Sequence, residues 1–147
     1  MDKSILITGC STGIGYVCAH ALHKRGYQVI ASCRQQQDVE RLQAEGLTCI
    51  QIDLADSQSI TKGVEQALVL TNGKLDALFN NGAYGQPGAL EDLPTDGLRE
   101  QFETNFFGWA VFTNQIRKLS FKRLIAATQR IIFRVRYDWC VFLVICR

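Results

Sequence analysis

The stretch from residue 8 to residue 15 reads Thr8-Gly9-Cys10-Ser11-Thr12-Gly13-Ile14-Gly15. It follows a short apolar run at residues 4–8 and precedes apolar side chains that repeat at helical spacing over residues 14–24. In such a loop the first glycine permits a sharp turn, the second lets the backbone approach a pyrophosphate, and the third lets the helix pack closely on the strand. The stretch therefore predicts a strand, a tight loop and a helix whose N-terminal N–H groups can bind phosphate. The alternative is a purely structural turn.

The alternation of strand and helix continues beyond this loop. Periodicity and turn residues predict strands at residues 28–32, 48–53 and 75–80, and helices at residues 37–44, 57–70 and 95–119. Asp56 or Ser57 is expected to cap the helix at residues 57–70. The alternation predicts an α/β fold, with a Rossmann-type, doubly wound parallel sheet, helices on both faces and ligands at the carboxyl ends of the strands.

Three further motifs follow the glycine loop along the chain. Asp53-Leu54 follows the third predicted strand, Asn80-Asn81-Gly82-Ala83 ends the fourth, and Asn105 lies in the long helix after it. Together with the spacing TGxxxGxG and the string ITGCSTGIG, these motifs resemble the short-chain dehydrogenase/reductase family, and especially its hydroxysteroid and retinol dehydrogenase-like members. The resemblance covers residues 3–117. It implies a nicotinamide dinucleotide as the cofactor.

The resemblance also implies which residues bind the dinucleotide. Asp53 and Leu54 are expected at the adenine, the backbone of Asn80-Asn81-Gly82-Ala83 against a ribose, and the glycine loop is expected to contribute Thr8, Gly9, Ser11, Thr12, Gly13, Ile14 and Gly15. The family motif is NNAG, so the last two residues are exchanged in this chain. Where the family has glycine, a Cβ now projects from backbone that is expected to lie against the cofactor ribose, and a positive φ there would cost about 1 kcal/mol or more. We therefore expect Ala83 to reduce the affinity for the cofactor.

The end of the second strand favours NADP over NAD. NAD-selective folds carry a carboxylate there, which bonds the adenosine ribose and repels a 2′-phosphate. This strand ends Ala31-Ser32-Cys33-Arg34, without an acidic residue. The guanidinium of Arg34 offers a planar, charged donor fork that suits a phosphate. The resemblance implies that family members with arginine at this position prefer NADP. Alternatively, Arg34 is a solvated loop residue or stacks on the adenine without selecting for phosphate.

The catalytic set that the resemblance implies is incomplete in this chain. Complete members interconvert an alcohol and a carbonyl compound with asparagine, serine, tyrosine and lysine. The tyrosine transfers a proton, the lysine lowers its pKa and holds the nicotinamide ribose, the serine polarises the substrate oxygen, and the asparagine helps position a water relay. Only the asparagine, Asn105, is identified. Four positions after Tyr16, Tyr27, Tyr84 and Tyr137 stand His20, Ala31, Gly88 and Val141, so no YxxxK motif is present.

The serine is also missing from its expected place. If residues 130–132 begin the fifth strand, Val135 and Arg136 occupy the serine region, and neither carries a hydroxyl. We therefore expect an NADP-dependent short-chain dehydrogenase/reductase that acts, in full-length relatives, on a hydrophobic alcohol or ketone. This chain is expected to be a C-terminally truncated, catalytically incompetent fragment. The alternative is a non-catalytic nucleotide-binding or interaction module.

The character of the sequence changes after about residue 118. Basic side chains interrupt the apolar ones, at Arg117, Lys118, Lys122, Arg123, Arg130, Arg134, Arg136 and Arg147. Residues 130–136 are a candidate fifth strand, and residues 139–146 form an apolar strand or helix fragment, far short of the ~20 residues that span a membrane. The sequence thus predicts a Rossmann, NADP-binding portion at residues 1–118 and a divergent tail at residues 119–147 with room for one further strand.

Charge, cysteine spacing and the N-terminal sequence exclude other classes of protein. The net charge of +2 comes from 16 basic and 14 acidic side chains, too small an excess to attract nucleic acid. Six cysteines without a CxxC spacing and two histidines do not predict a metal site. No signal-peptide pattern precedes the first strand, so a cytoplasmic location with reduced thiols is expected.

Overall fold

The computed structural model describes residues 3–120 and 142–145. The elements follow in the order β1 (Ser4–Ile7), α1 (Gly13–Lys24), β2 (Gln28–Cys33), α2 (Gln36–Ala44), β3 (Thr48–Gln51), α3 (Ser57–Leu70), β4 (Ala77–Asn80), a 3₁₀ turn (Leu90–Asp92), α4 (Thr95–Phe102), a π-helical segment (Glu103–Gly108), α5 (Trp109–Ser120) and β5 (Phe142–Ile145). Of the two candidate caps of α3, Asp56 makes the bond, because its Oδ1 accepts from the backbone N–H of Gln58 at 2.8 Å. None of the helices in these described ranges is long and apolar enough to cross a membrane.

The strands form one sheet in the order β3-β2-β1-β4-β5. The first four are parallel, and Leu6 of β1 pairs with Ile30 of β2 and with Leu78 of β4. This confirms the Rossmann-type sheet. The strand order reverses between β1 and β4, so the carboxyl ends of these two strands form the topological switch point, where such sheets bind ligands.

The last strand of the sheet, β5, runs antiparallel to β4, with Leu143 opposite Phe79. It lies within the apolar run at residues 139–146. The other candidate strand, at residues 130–136, lies outside the described residues.

Successive side chains of the strands pack on opposite faces of the sheet. On one face Leu6, Ile30 and Leu78 join a core with α3 and α5, to which those helices contribute Ile60, Val64, Ala67, Trp109, Phe112 and Ile116. On the other face Ile7 and Ala31 join a core with α1 and α2, to which those helices contribute Ala19, Val39 and Leu42. Burial on both faces is what a parallel sheet requires.

Helix α1 buries a narrower face than its apolar periodicity predicts. Cys18 and Leu22 pack against the core and Ala19 is fully buried, whereas Ile14 and Val17 are 57% and 64% exposed. The helix contacts β2, and within the described residues Ile14 and Val17 join neither hydrophobic core. Helical spacing predicts the helix itself, but how much of its circumference is covered depends on its neighbours.

The long helix predicted at residues 95–119 is interrupted. The π-helical segment Glu103–Gly108 separates α4 from α5. Where it ends, Gly108 lies so close to the loop after β3 that a Cβ atom there would be 2.0 Å from the carbonyl oxygen of Leu54. Because this contact joins residues that are distant in sequence, helical periodicity does not predict it. π-helical segments occur often at functional sites.

Replacing Gly108 with alanine is expected to lower the free energy of unfolding by about 3 kcal/mol, because the added Cβ would overlap backbone that no rotamer change can move. Gly97→Ala in α4 is the matched control, since its Cβ would have ordinary contacts from 3.5 Å and a helical alanine gains up to about 1 kcal/mol over glycine. Urea unfolding followed by circular dichroism measures both. Equal stability of the two variants would contradict the close approach to Leu54.

Candidate functional site

The glycine loop joins β1 to α1 through two residues in the left-handed region. Gly9 has φ +67° and Gly13 has φ +62°, values that disfavour a side chain. A Cβ on Gly9 would lie 2.5 Å from Cα of Gly82, and one on Gly15 would lie 2.4 Å from the carbonyl oxygen of Gly9. A Cβ on Gly13 would meet no atom within 4 Å. Packing within the chain therefore requires glycine at positions 9 and 15, whereas position 13 is open for the approach of a phosphate.

The hydroxyl of Thr8 connects the end of β1 to the end of β4. Its Oγ1 accepts hydrogen bonds from the backbone N–H groups of Asn81 at 3.1 Å and Gly82 at 3.0 Å. In return, Nδ2 of Asn81 donates to the carbonyl oxygens of Thr8 at 3.0 Å and Gly9 at 3.1 Å. We call these four bonds the Thr8–Asn81 clamp. The sequence indicated both residues as cofactor-binding, but it did not indicate that their side chains bind each other's backbone.

The first turn of α1 lies directly after the glycine loop. Thr12 is the N-cap residue, with extended φ and ψ angles of −151° and 176°, and its side chain makes no capping hydrogen bond. The first turn carries no acidic residue. The N–H groups of this turn and the positive end of the helix dipole are therefore suited to an anion.

Arg34 follows β2 at the same edge of the sheet. Its backbone carbonyl accepts a hydrogen bond from Nε2 of Gln51 at 3.0 Å, and its side chain is exposed. Among the residues that the structure describes, no carboxylate pairs with its guanidinium. The positive charge of Arg34 is thus available to a phosphate ligand. A solvated loop arginine would have the same geometry.

Asp53 and Leu54 form the turn between β3 and α3. Oδ1 of Asp53 accepts from the backbone N–H of Ala55 at 2.9 Å, and the backbone N–H of Asp53 donates to the hydroxyl of Ser59 at 2.9 Å. Asp53 therefore caps its own turn, whatever it does for a ligand. Leu54 is buried in the core beside α5, and its carbonyl lies against Gly108.

Asn105 lies in the π-helical segment and holds the loop that follows β4. Its Oδ1 accepts from the backbone N–H of Tyr84 at 2.9 Å, and its Nδ2 donates to the carbonyl oxygen of the same residue. The hydroxyl of Tyr84 donates to Oε1 of Gln86. The amide of Asn105 and the hydroxyl of Tyr84 are thus both hydrogen-bonded within the chain. Tyr137 lies outside the described residues.

The motif Asn80-Asn81-Gly82-Ala83 directs its side chains to different places. Asn80 is buried, and its Nδ2 donates to the hydroxyl of Thr113 on α5 at 3.2 Å. Ala83 does not have the positive φ that would strain it, because among the described non-glycine residues only Asn72 has one, and the reduced cofactor affinity stays a prediction. Ala83 therefore does not need the conformational freedom of glycine, and its side chain is exposed. A Cβ on Gly82 would lie 3.3 Å from the backbone nitrogen of Gly9, so the glycine instead eases the contact with the loop.

Cys10 lies within the glycine loop but is not a nucleophile. It is fully buried, and its thiol donates to the carbonyl oxygen of Ile7 at 3.2 Å. Burial raises the pKa of this thiol to about 12, so it stays protonated at neutral pH, and the thiolate is the reactive form. In the described part of the chain no group of three or more potential ligands could hold a metal ion.

The α/β sheet with a glycine loop at its switch point defines a dinucleotide-binding class of fold, and comparison with known proteins gives the family. The family model described as short chain dehydrogenase matches residues 3–128. The chain is 41% identical over 108 residues to an uncharacterized oxidoreductase, YbbO, of Escherichia coli K12. It is 36% identical over 116 residues to retinol dehydrogenase 8 of Homo sapiens. The chain belongs to the short-chain dehydrogenase family.

The matched region is a part of each relative. The two alignments cover 74% and 72% of this chain but 40% and 36% of the relatives. A solved structure of a variant of actinorhodin polyketide ketoreductase with NADPH superposes with a TM-score of 0.71 and 26% identity, over 80% of this chain and 47% of that one. The comparisons thus confirm the resemblance in sequence and in fold, and this chain spans less than half the length of these proteins.

Replacing Thr8 with valine is expected to lower the free energy of unfolding by about 2–4 kcal/mol, because two backbone N–H groups would lose their acceptor. Thr8→Ser keeps the hydroxyl and should recover most of this loss. Thr71→Val is the control, since the Thr71 hydroxyl donates to the Ala67 carbonyl and no described backbone N–H donates to it, so a change below about 1 kcal/mol is expected. Thermal unfolding measures all three. A loss for Thr8→Val no larger than that for Thr71→Val would rule out the clamp as a stabilising contact.

Proposed function

We propose that this chain binds NADP(H) at the switch point between β1 and β4. The observation that carries the proposal is the glycine loop, which leads into a helix N-terminus without a side-chain cap and keeps Gly13 open to a ligand. A helix start of this kind offers N–H donors and a positive dipole end to a pyrophosphate. The ketoreductase with the same fold was solved with NADPH, which supports the choice of ligand.

The proposed contacts follow the order of the strands along the sheet edge. Ser11, Thr12, Gly13 and Ile14 would surround the pyrophosphate, and Arg34 would bind the 2′-phosphate. Asp53 and Leu54 would meet the adenine, and the backbone of Gly82 and Ala83 would lie beside a ribose. Five other residues would shape the glycine loop and the chain after β4 without touching the cofactor, because their side chains or backbones contact the protein itself. These are Thr8, Gly9, Gly15, Asn80 and Asn81. The binding portion corresponds to residues 1–118.

Oxidoreduction of a hydrophobic alcohol or ketone is, in this proposal, the activity of the longer relatives, in which the nicotinamide supplies or accepts a hydride. The 147-residue chain has no YxxxK motif, and the amide of Asn105 is bound to the backbone of Tyr84. Without a proton donor and a group that stabilises charge on the substrate oxygen, binding does not lead to turnover. We therefore propose a nucleotide-binding protein that does not transfer a hydride by itself, with the cytoplasm as its location.

Calorimetric titration of the purified chain is expected to show tighter binding of NADPH than of NADH by about tenfold or more, the size expected for a charge-assisted phosphate contact. Arg34→Asp should remove this preference, because a carboxylate repels the 2′-phosphate. Arg25→Asp changes the net charge by the same amount, but Arg25 follows the C-terminal end of α1, away from the carboxyl ends of the strands. This variant should keep the preference for NADPH. Equal affinities for the two cofactors in the wild type would refute the assignment of NADP.

The absorbance of NADPH, followed with a panel of ketones and aldehydes, is expected to stay constant in the presence of the purified chain. General acid catalysis and stabilisation of the oxyanion each contribute about 10²-fold or more, and the chain lacks the residues that provide them in the family. A short-chain dehydrogenase that contains the full set is the positive control. Stoichiometric turnover by the homogeneous chain would overturn this proposal, and Tyr84→Phe would then test one candidate acid.

A further inference from the structure

One side chain of α2 reaches the glycine loop. Nη2 of Arg41 donates a hydrogen bond to the carbonyl oxygen of Ser11 at 2.7 Å. The same Nη2 also donates to Oδ1 of Asp38 at 2.9 Å, and Nη1 donates to Oε1 of Glu45 at 3.3 Å. Two carboxylates on its own helix therefore hold the guanidinium in the position from which it contacts the loop.

The surroundings of Arg41 restrict it further. Its guanidinium carbon lies 5.8 Å from the centre of the Tyr16 ring on α1, within the range of a cation–π contact. The hydrogen bond with Asp38 raises the pKa of Arg41, so the side chain remains charged. Glu45 also accepts a contact from Nε2 of His20 at 2.9 Å, which ties the same network to α1. The loop, α1 and α2 are thus joined around one guanidinium.

The contact with Ser11 sets the direction of a loop N–H group. The peptide between Ser11 and Thr12 is trans, since the described chain contains no cis peptide bond, and in a planar trans peptide the C=O and N–H bonds point in opposite directions. With the Ser11 carbonyl directed to Arg41, the N–H of Thr12 points away from α2. One further peptide, between Thr12 and Gly13, leads from it to Gly13, whose left-handed φ precedes the first turn of α1.

We propose that Arg41 is a positioning residue for the pyrophosphate: it fixes the Ser11–Thr12 peptide so that the loop N–H groups are oriented before the cofactor binds. The inference rests on the proposed NADP(H) binding and adds a residue that need not touch the cofactor. A loop with glycines at positions 9 and 13 samples many conformations, and fixing one of them in advance reduces the entropy lost on binding. The contribution of Arg41 should therefore be confined to the part of the ligand that the loop contacts.

The test compares two ligands on three variants. NADPH contains the pyrophosphate, whereas adenosine 2′-phosphate contains the phosphate assigned to Arg34 and none at the loop. Arg41→Ala is expected to weaken NADPH binding by about tenfold, as for the loss of one charge-assisted contact, and adenosine 2′-phosphate binding by less than about twofold. Arg41→Lys retains a charged donor and should recover part of the NADPH affinity. Calorimetry measures NADPH, and chemical-shift titration measures the weaker nucleotide.

Arg99→Ala is the matched control. Arg99 pairs with Asp96 at 3.0 Å with the same three-residue spacing as Arg41 and Asp38, but it contacts no loop carbonyl among the described residues. This variant should bind NADPH like the wild type. An Arg41→Ala affinity within twofold of the wild type, equal losses for both ligands, or the same loss in Arg99→Ala would each overturn the inference. A wild-type chain that binds no NADPH would instead refute the proposed function.

Discussion

The site depends on the Thr8–Asn81 clamp between the ends of β1 and β4. The Thr8 hydroxyl accepts from two consecutive backbone N–H groups of the chain leaving β4, and the Asn81 amide binds two consecutive carbonyls of the chain leaving β1. With the two backbones held this closely, a Cβ on Gly9 would overlap Gly82. The glycine of the first turn is thus a consequence of the clamp as much as of the turn itself. The clamp holds the start of the glycine loop, and the hydrogen bond from Arg41 to the carbonyl oxygen of Ser11 holds it nearer to α1.

Local sequence patterns predict the parts of this fold that depend on neighbours in sequence. The four parallel strands, the three helices between them and a cap at Asp56 or Ser57 follow from periodicity and turn residues, and the structure selects Asp56. The π-helical segment does not, and it ends at Gly108, whose close approach to Leu54 joins residues that are distant in sequence. Motif matching located Thr8, Asn81 and Asn105 but not their partners, which lie 21 to 74 residues away in sequence. The positive φ considered at Ala83 is not found, because φ at that position follows from the path of the loop, which a motif does not specify.

The proposed function assigns phosphate binding to residues that the structure describes, whereas it expects most of the family's catalytic set to be missing from the chain. The described residues contain the whole crossover from β1 through β4, with its glycine loop and helix start. They engage the amide of Asn105 and the hydroxyl of Tyr84 in contacts that shape the loop after β4. The relatives are more than twice as long as the region they share with this chain. The proposal of binding without turnover follows from this division.

The central claim is that the glycine loop and the first turn of α1 bind the phosphates of NADP(H). Backbone amide resonances of the ¹⁵N-labelled chain, recorded while NADPH is added, test it most directly. The account predicts saturable shifts that are largest at Ser11, Thr12, Gly13 and Ile14, with Gly73, at a turn beyond α3, unchanged. Shifts that spread evenly over the sheet, or an unchanged spectrum at saturating NADPH, would contradict it.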